Sequence, residues 1–379
     1  MNSPQDIWDQ IQKRVFVIAE IGKNFIQTQE ERPVAEYLEN AKALVKAAKD
    51  AGADAVKFQT HNVEDEQLNI HVVSPHFKGA DRYSWLTRNT NATPLDAFWK
   101  PLKAYCDEAG ITFFSTPMSR GAAKKLSEVG VPLWKVGSGD ILDFVTLDYL
   151  AATGNPIILS SGMSTLEEID KSIDFLKRRL PAGRQGTGIV LLHCVSKYPC
   201  PPEQLNLATI GFLKERYHIP IGFSDHSIGI DSALAGVALG AQVIEKHFSF
   251  ARDLWGADHK VSMTPDEMKA LVTGIREFEA NPAKKAEYLE KDIVKAGMGS
   301  GAKVLQDDEA VFRPYFRKSL MAGEDIPAGT AITAEMLYAM RPQAHAGGLP
   351  SEEYEHVLGR TTAKALKKFD PITSEVLAS

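Results

Sequence analysis

The chain has 379 residues, 44% hydrophobic and 24% charged, which is enough for a barrel of about 250 residues plus a small module and is the composition of a soluble globular protein. Its net charge is −6 and it carries no lysine-arginine block, so no nucleic-acid partner is expected, although a local cluster of lysines can still bind an acidic small substrate. Three cysteines, Cys106, Cys194 and Cys200, make no disulfide framework, and Cys194 and Cys200 read as structural; with no apolar signal region at the amino terminus and no apolar run of about 18 residues, a cytoplasmic location and no membrane partner are expected.

In chain order, Val15–Glu20 is a near-continuous apolar run, as in a strand buried on both faces. Val34–Ala51 has helical periodicity through Leu38, Ala41, Leu44, Val45 and Ala48, and stops at Gly52. Ala53–Gln59 is the second strand. The segment from His61 to Pro94, with Tyr83 and Trp85, is long for a loop and reads as a lid or wall. Helix Leu95–Ala109 leads to strand Ile111–Ser115, helix Gly121–Glu128 to strand Leu133–Val136, and helix Leu147–Thr153 to strand Pro156–Ser160. Helix Leu166–Arg179 and a surface loop over Pro181–Gly188 precede strand Ile189–His193. Helix Leu207–Tyr217 precedes the run Ile221–Ser227. Small and apolar residues from Ile228 to Gly240 form a helix, Val243–Phe248 an eighth strand, and Pro265–Phe278 the last helix.

Eight strand-helix units in a row close into a (β/α)8 TIM barrel over residues 1–280. An open doubly wound sheet is the alternative, but the first turn is Glu20-Ile-Gly22 and no GxGxxG occurs. Residues 281–312 read as a linker. From 313 to 379 the composition shifts to a small β-rich module, with Arg317–Ala322, Asp325–Ile332 and Tyr338–Arg341 extended and Thr333–Leu337 a short helix.

A barrel gathers function at the carboxyl ends of its strands. The sequence places Glu20, Lys57, Gln59, Thr116, Lys135, Ser138, Asp140, Ser160, Tyr198, Ser224, His226 and His247 there. Neighbouring parallel strands lie roughly 5 Å apart. His226 and His247, ending adjacent strands beside Asp225 and Glu245, can therefore share one divalent metal; two satisfied structural histidines are the other reading. Lys57 and Lys135, with the hydroxyls of Thr116, Ser138, Ser160 and Ser224, form a ring suited to a phosphate joined to a carboxylate. Glu20 and Asp140 supply carboxylates, with orienting a lysine the default reading of Glu20. Asp258, after strand eight, enters the metal's surroundings or is a turn residue. A metal beside an anion pocket fits a polarised carbonyl attacked by a phosphate-bearing carbon nucleophile.

The segments Ile18-Ala-Glu-Ile-Gly22, Val56-Lys-Phe-Gln-Thr60, Phe114-Ser-Thr-Pro117, Trp134–Gly139, Leu159-Ser-Ser-Gly-Met163, Phe223-Ser-Asp-His226 and Glu245-Lys-His-Phe248 resemble, in order, the N-acetylneuraminate (sialic acid) synthase family. The tail, Asp325-Ile-Pro-Ala-Gly with Met340-Arg-Pro342, resembles that family's small antifreeze-like (SAF) domain. The resemblance implies condensation of phosphoenolpyruvate with an N-acetylated hexosamine aldehyde, a divalent metal (manganese or magnesium) and a domain-swapped homodimer. It puts Lys57, Thr116, Lys135, Ser138, Ser160 and Ser224 on phosphoenolpyruvate, and His226 and His247 on the metal. Gln59, Tyr198 and Asp258 match positions around sugar and metal, and Ser196 stands where an asparagine is usual. Asp140 stands where glutamate is usual and is the candidate for positioning water. Arg341 is expected to reach the partner subunit's sugar.

Other departures fall at the sugar end. Lys23-Asn-Phe-Ile-Gln27 replaces an Asn-His-x-Gly type segment, Gln343 replaces a glycine, and 61–63 and 69–92 do not match. Phe25 and Ile26 either contact a deoxy or further-acylated acceptor or pack beneath the next loop. A synthase for a legionaminate, a pseudaminate or a phosphorylated hexosamine, a metal-dependent aldolase, and a non-catalytic sugar-binding protein are the alternatives. An aldolase releases no phosphate, and loss of either histidine or either lysine would favour a binding protein; all four are present.

Overall fold

The computed structural model describes residues 2–73, 81–182 and 188–378. Eight parallel strands form the sheet: β1 (Phe16–Gly22), β2 (Ala55–Thr60), β3 (Thr112–Pro117), β4 (Trp134–Val136), β5 (Ile157–Ser160), β6 (Ile189–Cys194), β7 (Ile221–Asp225) and β8 (Val243–His247). Their hydrogen-bonded order is β3-β2-β1-β8-β7-β6-β5-β4, and β3 and β4 at its two ends lie side by side, so the sheet closes on itself as expected. Seven of the strands are buried along their whole length and β2 has a single half-buried position, Gln59, which is why they read as apolar runs without alternation.

The helices between strands bury one stripe each. Val34–Asp50 turns Ala41, Leu44, Val45 and Ala48 inward, as its periodicity predicts. Leu166–Arg179 and Pro265–Ala280 open on capping boxes, Thr165 with Glu168 and Thr264 with Glu267. An element the sequence reading missed, helix Pro4–Lys13, is capped by Ser3 and Asp6 and buries Ile7, Trp8 and Ile11. Asn2 bonds Thr112 at the start of β3, Gln10 bonds Asp54 before β2, and Gln242 before β8 bonds the Ile11 carbonyl. The helix therefore plugs the amino-terminal end of the barrel, leaving the other end for the site.

The long segment after β2 contains a short helix, Val63–Glu66, and a helix, Arg82–Ala92; residues 74–80 lie outside the described residues, as do 183–187 of the expected surface loop. Beyond the barrel, residues 281–316 are folded into short helices rather than an open linker. In the last module β9 (Ser319–Ala322) pairs antiparallel with β10 (Leu337–Met340). The expected extended stretch Asp325–Ile332 forms no strand; it is held by isolated bridges, Ile326 to Leu366 and Ala331 to Thr361. Leu320, Ile326, Leu337 and Tyr354 join one apolar core with the barrel, and Arg120 bonds the carbonyls of Glu335 and Leu337.

The turn after β1 settles the direction of Phe25. Asn24 and Ile26 amides bond Ile21 and Lys23 carbonyls, and the Asn24 side chain bonds the Phe248 carbonyl and Ser262. Phe25 is thereby turned under the sheet, 1% exposed, with ring centroids 4.9 Å from Phe98 and 6.1 Å from Phe58. It packs and does not face an acceptor. Phe25→Ala should lower unfolding stability by about 3–5 kcal/mol; a urea midpoint equal to the parent's would show that the ring is not part of this cluster.

Candidate active site

All the candidate residues named from the sequence line one cleft of about 1050 Å³ at the carboxyl ends of the strands. In-register pairing brings them there: Glu20 lies beside Lys57 on one flank and His247 on the other, Gln59 beside Thr116, and Ser224 beside Glu245.

The floor of the cleft is a set of buried charges. Lys57, 3% exposed, lies 2.6 Å from Glu20 Oε2 and donates to Thr116 Oγ1 at 3.1 Å. Lys135, 2% exposed, donates to Ser160 Oγ at 2.7 Å. Glu245 lies between the two ammonium groups, 3.8 and 3.7 Å away, and accepts from Ser224 Oγ at 3.0 Å. Burial pushes Glu20 up, Lys57 pulls it down and Glu245 pushes it up again, leaving it at about 7. Burial also opposes the charge on Lys57, but Glu20 and Glu245 outweigh it and hold Lys57 above its ordinary value. These two directions pull apart for one ion pair. We take Lys57 as the fixed charge, since two carboxylates flank it, and Glu20 as the group that exchanges a proton near neutrality. Gly22, at φ +55°, lets this happen: a Cβ there would sit 3.2 Å from Glu20 Oε1 and 3.3 Å from Gln59 Nε2.

The two histidines stand at one side, ring centroids 5.6 Å apart, with the Tyr198 ring 4.0 Å from that of His226. His226 Nδ1 bonds the Val195 carbonyl at 2.9 Å, which leaves Nε2 as its lone-pair nitrogen. His247 Nδ1 is buried without a partner, and burial pushes this imidazole down to about 4, so it is neutral at pH 7. A neutral imidazole with an orphaned nitrogen beside an oriented second one fits a divalent ion. Among the described residues no group of three His, Cys, Asp or Glu side chains converges, so Asp258 is not gathered with the pair. An ion held here would take its other ligands from water or substrate oxygens.

The carboxy-terminal part covers the rest of the cleft. Asp140 accepts from Arg341 and lies 2.9 Å from Lys318, and Lys318 also reaches Asp143 at 2.6 Å. Arg317 donates to the Ser138 carbonyl at 3.1 Å and the Met163 carbonyl at 2.7 Å. Glu309 accepts from the backbone amides of Met163 and Ser196. Within the single chain Arg341 lines this cleft beside Asp140, while Glu309 and Arg317 reach the loops after β4, β5 and β6. Asp140 faces two cations rather than open space.

Several residues in or around the cleft were not among the candidates. Glu245 had a signal: two residues before His247 on one strand, it points to the same side. Cys194, read as structural, lines the cleft 3.6 Å from Ser138 Oγ. Lys23 was visible only as a departure. Glu309, Arg317 and Lys318 act across long sequence separations, for which the sequence carries no local cue.

Residues 44–287 match the NeuB family and residues 317–377 the SAF domain. The chain belongs to the NeuB family. It is 33% identical over 365 residues to the N,N'-diacetyllegionaminic acid synthase of Campylobacter jejuni, covering 94% of this chain and 98% of that one. It is 31% identical over 375 residues to the human N-acetylneuraminate-9-phosphate synthase, covering 98% and 94%. In structure it is similar to a spore coat polysaccharide biosynthesis protein of Bacillus subtilis, with a TM-score of 0.75, 29% identity, and 97% and 96% of the two chains covered.

Two buried histidines near the cleft and core carry a pH consequence. His61, 2.6 Å from Glu66, is pushed down to about 4 by burial, against the pull of Glu66. His193, bonded to the Leu205 carbonyl, is pushed down to about 4 by burial as well. Between pH 6.5 and 4 the unfolded chain binds protons that the folded one refuses, so stability is full above 6.5 and is lost as pH falls. Each histidine contributes a slope of about 1.4 kcal/mol per pH unit. Urea unfolding at pH 7.5, 6 and 5 should show the loss and His193→Gln should make it shallower; an unchanged slope in that variant would refute the assignment.

Proposed function

We propose that this NeuB-family chain condenses phosphoenolpyruvate with an N-acetylated hexosamine aldehyde, giving a sialic-acid-type nonulosonate and phosphate. The observation that carries the reading is the pair of buried ammonium groups, Lys57 and Lys135, hydrogen-bonded to Thr116 and Ser160 in the same cleft as the two histidines. The named relatives, synthases of legionaminic acid and of N-acetylneuraminate 9-phosphate, support the same chemistry.

In this reading Lys57 and Lys135 bind the phosphate and carboxylate of phosphoenolpyruvate, with hydroxyls from Thr116, Ser138, Ser160 and Ser224. His226 and His247 hold a divalent metal, manganese or magnesium, whose contribution when bound is to polarise the sugar aldehyde. Carbon three of phosphoenolpyruvate forms the new bond to the aldehyde carbon, and the aldehyde oxygen takes a proton. Water adds at carbon two and loses a proton, and the carbon–oxygen bond to phosphate breaks. Glu20, titrating near neutrality, is placed to move one of these protons; Asp140, fixed by Arg341 and Lys318, orients water. Gln59, Ser196, Tyr198, Asp258 and Arg341 lie on the acceptor's side. Legionaminate and pseudaminate synthases would share all of this and differ only in the acceptor. Among the described residues no helix is long and apolar enough to cross a membrane; cytoplasmic location rests on the low cysteine content.

The deciding experiment measures phosphate release from phosphoenolpyruvate with manganese across a panel of N-acetylated hexosamines. Release matched by a 2-keto acid product is expected; carbon–carbon bond formation without phosphate would replace this reading with an aldolase. His226→Ala and His247→Ala should each lose bound metal and reduce turnover at least about a hundredfold, as losing one of two protein ligands does. Normal metal content and rate in either variant would end the two-histidine assignment.

The resemblance also supports a homodimer whose SAF modules exchange, with the contacts of Arg341 then made between copies. Lys57→Ala and Arg341→Ala chains, each inactive alone, provide the test when co-expressed. With exchange, a mixed dimer regains one intact site and up to half of the parent activity per dimer. Without exchange both sites stay defective and no activity returns.

A further inference from the structure

Lys23 follows β1 and faces both the main cleft and a small side cleft walled by Asn24, Ile26, Trp85 and Trp255, with Gln59 and Asp258 shared between the two. This is the end away from Lys135 and Ser160. The other ammonium groups of the site are each matched by a carboxylate: Lys57 by Glu20, Lys135 by Glu245, Lys318 by Asp140 and Asp143. Among the described residues no carboxylate lies within ion-pair reach of Lys23. The acids that act most on its charge are Glu66 and Asp258, and Glu66 is committed to His61 at 2.6 Å. Arg82 and Arg341, which line the same cleft, repel it. Burial, the largest influence, brings the ammonium down to about 7.

A cation held among other cations in a partly dry wall is costly unless something neutralises it. A neutral sugar hydroxyl accepts a hydrogen bond but brings no charge. An anionic group brings both. We propose that Lys23 is a specificity-determining residue that reads an anionic group, a phosphate ester or a carboxylate, carried by the acceptor sugar at the end away from its aldehyde. Arg82 lines the wall toward which that group extends, and the indoles of Trp85 and Trp255, centroids 5.1 Å apart, close the side cleft beyond it. The inference rests on the synthase reading above and deepens it by naming the class of acceptor.

The test compares kcat/KM for N-acetylmannosamine, its 6-phosphate and its 6-carboxylate, in the parent chain and in Lys23→Gln and Lys23→Arg. The parent is expected to prefer one acidic acceptor over the neutral sugar by about tenfold or more, the scale of one charged hydrogen bond. The two acidic sugars separate a phosphate reader from a carboxylate reader. Lys23→Gln should lower that preference at least about tenfold, through KM for the acidic sugar, and Lys23→Arg should keep most of it. A parent that prefers the neutral sugar, or a folded Lys23→Gln with its preference intact, overturns the inference. Should Lys23→Gln fail to fold by thermal melting, the parent's own preference and that of Lys23→Arg decide. Turnover of the neutral sugar alone removes this inference and leaves the synthase reading standing; no phosphate release with any acceptor removes both.

Discussion

Two ammonium groups and two carboxylates share the buried floor of the cleft. Lys57 is 2.6 Å from Glu20 and 3.8 Å from Glu245; Lys135 is 3.7 Å from Glu245. Removing any one would leave an uncompensated charge in a poorly screened site, which is strongly destabilising. The set is close to neutral as it stands, so a bound anion must displace carboxylate contacts or shift a proton. Glu20, at about 7, is the member whose proton can shift. The barrel makes this arrangement possible, because in-register strands deliver one long side chain each to a common point. The helix Pro4–Lys13 closes the opposite end.

The barrel was legible because each strand is a short apolar run and each helix a periodic one, repeated in fixed alternation. The site was legible for a related reason: a polar residue in or just after a short apolar strand stands out, and many of these line the cleft. Lys57, Lys135, His226 and His247 are of this kind. Phe25 failed the same logic. It follows a strand, but the Asn24 side chain fastens the turn to Phe248 and Ser262 and sends the ring into the core. No pattern in Lys23–Gln27 says which way that turn closes. The amino-terminal helix is short, at ten residues, but Ser3 and Asp6 form a capping box and Ile7, Trp8 and Ile11 share one face, so its signal was present in the sequence. The carboxy-terminal docking was invisible because Glu309, Arg317 and Arg341 find partners more than a hundred residues away.

That docking ties the two regions chemically as well as sterically. Asp140 is a barrel residue, yet its cations, Arg341 and Lys318, come from the carboxy-terminal module. Conversely Arg317 and Glu309 reach into the barrel and satisfy backbone groups of Ser138, Met163 and Ser196, the loops after β4, β5 and β6. Irregular backbone at a strand end has polar groups that need partners, and here the tail supplies them. The module is therefore part of how the loops hold their shape.

The same exchange explains the asymmetry of the cleft. On one side Lys57 and Lys135 are strand residues matched by the strand carboxylates Glu20 and Glu245, so their geometry is set by the sheet. On the other side Lys23 and Arg82 come from connecting segments and Arg341 from the tail. Connecting segments can change without disturbing strand pairing, whereas a change at Lys57 or Glu245 disturbs a buried charge network. A family that keeps one common substrate and varies the other would place its variation where this chain departs from the pattern: in the turn after β1 and the segment after β2. The buried charges on the strands are anchored in the sheet, and the cations of the connecting segments and tail are not.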